Sequence, residues 1–128
     1  MRRPEQLFLL AAACVGLAGC GTRIAQRPPA RTLPARTADG LVSVRWTLGC
    51  ARARSITIRF LEPGCVYSFA RTASLQTSQS VTIAVYDHYR PLQPGVVCPA
   101  FLRLATATIA LREPLGARRI LHAPVWHP

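Results

Sequence analysis

The sequence predicts an all-β domain over residues 41–128, a small antiparallel sandwich or meander of about six strands. Three observations predict it. Short runs alternate apolar and polar residues with the period of two that a half-buried strand requires. Turn signals rich in Pro and Gly separate those runs at intervals of about a dozen residues. No stretch of helical period with caps follows residue 20.

The elements follow in order. Val42-Ser43-Val44-Arg45-Trp46 alternates and reads as a first strand. Ser55 to Phe60 alternates again, with Ile56, Ile58 and Phe60 facing a core and Thr57 and Arg59 outside. Glu62-Pro63-Gly64 is a turn signal, because Pro presets one backbone angle and Gly accepts the next. Val66 to Leu75 is a weaker strand with Tyr67 and Phe69. Val81 to Tyr86 is the strongest, with Val81, Ile83 and Val85 on one face. Asp87 to Pro94 reads as a loop, Ala105 to Leu111 as another strand, and Arg118 to His122 as a short last one. Between these two, Glu113-Pro114-Leu115-Gly116 forms a turn in which Gly116 supplies a positive φ.

The N-terminus carries a different message. Arg2 and Arg3 precede a charge-free apolar run from Leu7 to Gly19. That is the anatomy of a secretory signal peptide over residues 1–19. The run is shorter than the roughly 20 apolar residues a helix needs to cross the hydrocarbon core. The junction Leu17-Ala18-Gly19-Cys20 resembles a lipobox, the processing motif of bacterial lipoproteins. Small residues before the cysteine let a peptidase grip the backbone, and the Cys20 sulfur takes a diacylglycerol. The resemblance implies a lipidated Cys20 on the extracytoplasmic face of a cell membrane, held stably because two acyl chains anchor where one is marginal. Gly21 in place of an Asp is compatible with outer-membrane sorting in a host with two membranes. Cys14 leaves with the signal peptide. Residues 20–40 are rich in Pro and Arg with little aliphatic periodicity, and read as the lipidated cysteine and a flexible tether.

Charge and cysteines narrow the function. The chain carries a formal charge of +11, and every basic residue other than His is arginine. Such a surface is drawn to anionic headgroups or anionic envelope polymers, and an envelope protein is the other candidate partner. No nucleic-acid-binding motif is present, so no nucleic-acid partner is expected. Besides Cys20, the mature chain has Cys50, Cys65 and Cys98, which allow three single pairings with one thiol left over. Cys65 and Cys98 each follow a strand beside a turn, which favours a Cys65–Cys98 disulfide and leaves Cys50 as the unpaired thiol. The cysteines are too widely spaced for a metal site, and nothing implies a cofactor.

Several of these segments together are similar to a group of small lipoproteins common in high-GC Gram-positive bacteria, described as of unknown function. The features are the alternating strand closing on Pro63-Gly64-Cys65, the strand from Ser80 to Val85, the segment Val97-Cys98-Pro99-Ala100, and the strand running into Pro114-Leu115-Gly116-Ala117-Arg118. The resemblance covers most of the mature domain. It supports the Cys65–Cys98 pairing and an all-β fold, and it implies no activity. Cys50 does not match the pattern, and His122-Ala123-Pro124 stands where the pattern has an Asp soon after the last strand.

No catalytic constellation emerges. The densest polar-aromatic cluster is Asp87, His88, Tyr89 and Arg90 beside Tyr86, a candidate ligand loop. The acids of the mature domain are scattered, and no nucleophile elbow is present. His122, Trp126 and His127 read as a frayed tail with Trp126 covering an edge, and Trp46 as a core or sheet-face aromatic. The sequence therefore favours a non-enzymatic binding or accessory domain of the cell envelope. The alternative is an envelope hydrolase using the Asp87-His88 loop.

Overall fold

The computed structural model of the chain describes residues 31–99 and 101–128. The expected signal peptide, Cys14, Cys20 and the tether up to residue 30 lie outside the described residues. The described part is all-β, as the sequence predicts. It has seven strands: β1 (Val42–Val44), β2 (Thr47–Ala51), β3 (Ser55–Pro63), β4 (Tyr67–Gln76), β5 (Ser80–Tyr89), β6 (Leu102–Ala110) and β7 (Arg119–His122).

The strands form two sheets. β5 is the spine of the first. β4 pairs antiparallel along one edge, while β1 and β7 share the other edge end to end. β7 runs parallel to β5, the one parallel pairing among the described strands. The second sheet has the order β2-β3-β6, all antiparallel. The inward faces supply one core: Ile56, Ile58 and Phe60 of β3 pack against Val81, Ile83 and Val85 of β5, with Ile109 and Leu111. These are the residues whose alternation marks the strands in the sequence. Each such side chain contributes roughly 1.5–3 kcal/mol on full burial.

β5 is buried on both faces. Its outward residues Ala84 and Tyr86 lie under Leu33, Leu41 and Ala123. Here the expected tether is shorter than residues 20–40. The Tyr86 hydroxyl donates to the Pro34 carbonyl (2.8 Å), the Ser43 amide donates to the Ala35 carbonyl (2.8 Å), and Arg36 bridges to Val42. Residues 33–40 are thus a folded arm. Gly40 turns it at φ 87°, a left-handed value that suits glycine. A buried hydroxyl on the strongest strand needs an acceptor, and the Pro-rich arm supplies one.

Other boundaries shift for physical reasons. β2 has no alternation to read, because it is an exposed edge strand with a bulge at Gly49. β6 begins at Leu102 rather than Ala105, since its first residues pair with Leu61, Glu62 and Pro63. The Cys65–Cys98 disulfide is present, with Cα atoms 5.8 Å apart, and joins the β3–β4 turn to the β5–β6 connection. Cys50 is a free, exposed thiol among the described cysteines. The C-terminal segment is not frayed. The Ala123 amide donates to the Ile83 carbonyl (2.9 Å), and the Trp126 amide donates to the Ser43 carbonyl (2.9 Å).

Candidate functional site

Asp87 continues the inward row of β5. It has the parity of Val81, Ile83 and Val85, and its register partners are Val42 on β1 and Phe69 on β4. The expected loop therefore starts at Arg90; Asp87, His88 and Tyr89 are the last residues of β5. Successive strand residues face opposite sides. Asp87 points between the sheets and is fully buried, whereas His88 is exposed beside Ser68. The structure does not bring these two together as an acid–base pair. Tyr89 packs its ring against Tyr67 (5.3 Å) and Trp126 (4.7 Å), and Arg90 donates its amide to the Val66 carbonyl (2.8 Å).

Asp87 belongs to the lining of an open groove of about 620 Å³. This lies within the roughly 300–1,000 Å³ of small-molecule sites. Its walls come from four places. Val44, Arg45, Trp46 and Thr47 carry the chain across from β1 to β2. Phe60, Leu61 and Pro63 come from the end of β3, and Leu102 and Leu104 from the start of β6. Val125 to Pro128 closes the remaining side, with Tyr67 and Asp87 inside. The lining is overwhelmingly apolar, with Arg45 and Arg59 among the few charged groups.

The wall residues break the usual alternation. Leu61, Leu102 and Leu104 stand on the outward face of β3 and β6, where Thr57 and Thr108 stand further along. They remain 51%, 66% and 62% exposed. Outward apolar residues in register across two strands make a contiguous exposed patch, the kind that marks an interaction site. Phe101 extends it and lies over Gly64, where a Cβ would collide with its ring.

Neither Asp87 carboxylate oxygen accepts a hydrogen bond from a protein group among the described residues. Burial among apolar side chains pushes its pKa up to about 6, and Glu62 nearby adds to the rise. Near neutral pH a large share of it is ionised in a site that gives it no donor. Buried polar groups are nearly always partnered, so such an exception calls for an explanation.

Two other features are structural. Trp46 stacks on His122 with centroids 4.5 Å apart, its backbone amide donates to His122 Nε2 (3.0 Å), and its indole Nε1 donates to the Ile83 carbonyl (3.0 Å). Because Nε2 accepts, Nδ1 carries the proton and donates to the Ala123 carbonyl. In the turn before β7, the Arg118 guanidinium donates to the carbonyls of Glu113, Pro114, Leu115 and Thr77. Gly116 sits there at φ 54°, the positive value expected of it. The Pro114-Leu115-Gly116-Ala117-Arg118 segment is a clamp on its own turn.

The sequence singled out Asp87 but missed the groove around it. The readable signal was the pair of leucines flanking Arg103 and the Leu61 that follows Phe60, apolar where alternation calls for polar residues. Comparison with known protein families, with curated proteins and with solved structures finds no match.

Proposed function

We propose that this chain is a membrane-anchored extracytoplasmic lipoprotein whose β domain binds a component of the cell envelope without chemical turnover. The observation that carries the binding role is the groove with a fully buried, unpartnered Asp87 inside it. A fold that leaves an apolar concavity open beside exposed leucines is built to receive something there. The anchor rests on the Leu17-Ala18-Gly19-Cys20 junction and the apolar run before it. The Cys65–Cys98 bridge supports an oxidising compartment. The arginine excess favours a location against anionic headgroups or envelope polymers, which hold the domain near its ligand. The separation of Asp87 from His88 removes the support for a hydrolase using that pair.

Two measurements test the reading. Cys20→Ala should shift the protein from the membrane to the soluble fraction or stall its processing, and an unchanged distribution would refute the anchor. Delipidated protein mixed with envelope lipid extract or purified wall polymer should show a stoichiometric adduct by native mass spectrometry. Leu104→Arg, an exposed substitution in the groove wall, should abolish it. No adduct from either source would refute the binding role.

A further inference from the structure

The groove's chemistry is uneven. Its outer part is hydrocarbon: Leu61, Leu102, Leu104 and Pro63. Its less exposed part is aromatic, with Trp46, Phe60, Tyr67 and Trp126, and Asp87 is the one side-chain carboxylate of the lining. A carboxylate in a groove lined by aromatic side chains is a site for a positive charge. The carboxylate supplies the counter-ion, and the ring quadrupoles attract a cation within about 6 Å of their centroids. No protein donor satisfies Asp87, although Arg45 and Arg59 line the same groove. A donor arriving from the groove would satisfy it.

We propose that the groove is a binding site for an apolar primary amine, whose ammonium pairs with Asp87 at the inner end while its hydrocarbon runs out past Phe60, over the edge of β3 that β2 leaves unpaired, toward Leu61 and Leu104. This rests on the groove being a ligand site, as proposed above, and names the ligand's class. The charge complementarity is local. Glu62 on β3 adds to the negative potential that raises Asp87, while Arg45 and Arg59 sit toward the chain crossing and the outward face of β3. An anionic amphiphile would bring like charge toward Asp87, which would have to take up a proton and would gain no charged partner. An amine neutralises it and gains a charge-assisted hydrogen bond.

The test is a matched panel of decylamine, decanol and decanoate at submicellar concentration, titrated calorimetrically into the native, delipidated protein near neutral pH. Decylamine is expected to bind roughly ten- to hundredfold more tightly than decanol, the range that a hydrogen bond to a charged group supplies. Asp87→Asn should erase that advantage, leaving decylamine no tighter than decanol. Equal binding of all three compounds, or tighter binding of decanoate, would overturn the amine assignment while leaving the groove as a ligand site. Absence of binding by any of them would overturn both readings.

A pH series in the unaltered protein covers the case in which Asp87→Asn fails to fold. Decylamine affinity should rise from about pH 5 to 7 as Asp87 ionises, since the amine stays protonated throughout. The other groups facing this site are Glu62 and Arg59 on β3, Tyr67 on β4, Tyr89 on β5, Arg45 in the crossing and His127 in the C-terminal segment. Decanol reports whatever these contribute, so the amine-minus-alcohol difference isolates Asp87. A flat difference across this range would overturn the proposal.

Discussion

One carboxyl shows how burial sets the behaviour of a single residue. Asp87 keeps its proton more tightly in the folded chain, with a pKa of about 6, than in the unfolded chain, near the ordinary 3.8. The unfolded state therefore releases that proton first as pH rises, and Asp87 weakens the fold progressively between about pH 4 and 6. Urea denaturation should show wild-type stability falling across that window by about 1–3 kcal/mol from this group. Asp87→Asn should flatten the fall and be the more stable protein near pH 7. A wild-type profile that rises through the window would contradict the burial. Asp87 was visible in the sequence as part of a polar cluster, but its burial was not. Residues that end a strand and residues that begin a loop have the same composition here, and only the register with Val42 and Phe69 decides between them.

Among the elements, legibility tracks how strongly each strand is held to one face. β3 and β5 alternate cleanly because both present apolar rows to one core, and the sequence locates them within a few residues. β2 went unread because its residues are mostly exposed, and Gly49 opens a bulge that destroys the period. The folded arm at residues 33–40 was hidden because it is held by carbonyls, such as that of Pro34, which sequence pattern does not report. The turn before β7 was read for its glycine, yet its arginine does as much. Arg118 reaches four carbonyls through a planar, forked donor set that lysine cannot reproduce. Arg118→Lys should therefore lower stability by about 1–2 kcal/mol with charge unchanged, measured by thermal or urea melting. A melt indistinguishable from wild type would mean that the turn holds itself.

At the scale of the whole molecule, a chain of this size has a modest core, and the disulfide compensates. It spans a sequence separation of 33 and joins the two connections, β3–β4 and β5–β6, that pass between the sheets. In the chain-entropy account a closure of that length stabilises by about 3–4 kcal/mol. The Cys65→Ser, Cys98→Ser double variant should lose that order of stability in urea melts, while Cys50→Ser, altering an exposed free thiol, should lose less than about 0.5 kcal/mol. The exposed apolar patch of Leu61, Leu102 and Leu104 lies at the bridged end of the sandwich, where the β3–β6 ladder sets its register.

Both tryptophans of the chain, Trp46 and Trp126, border that groove. The indole emission of the entire polypeptide consequently originates from the two walls a guest would touch. Entry of a hydrocarbon should strip solvent from these rings and move the fluorescence maximum to shorter wavelength. Occupancy can thus be followed optically, without a dye and without knowing beforehand what the guest is.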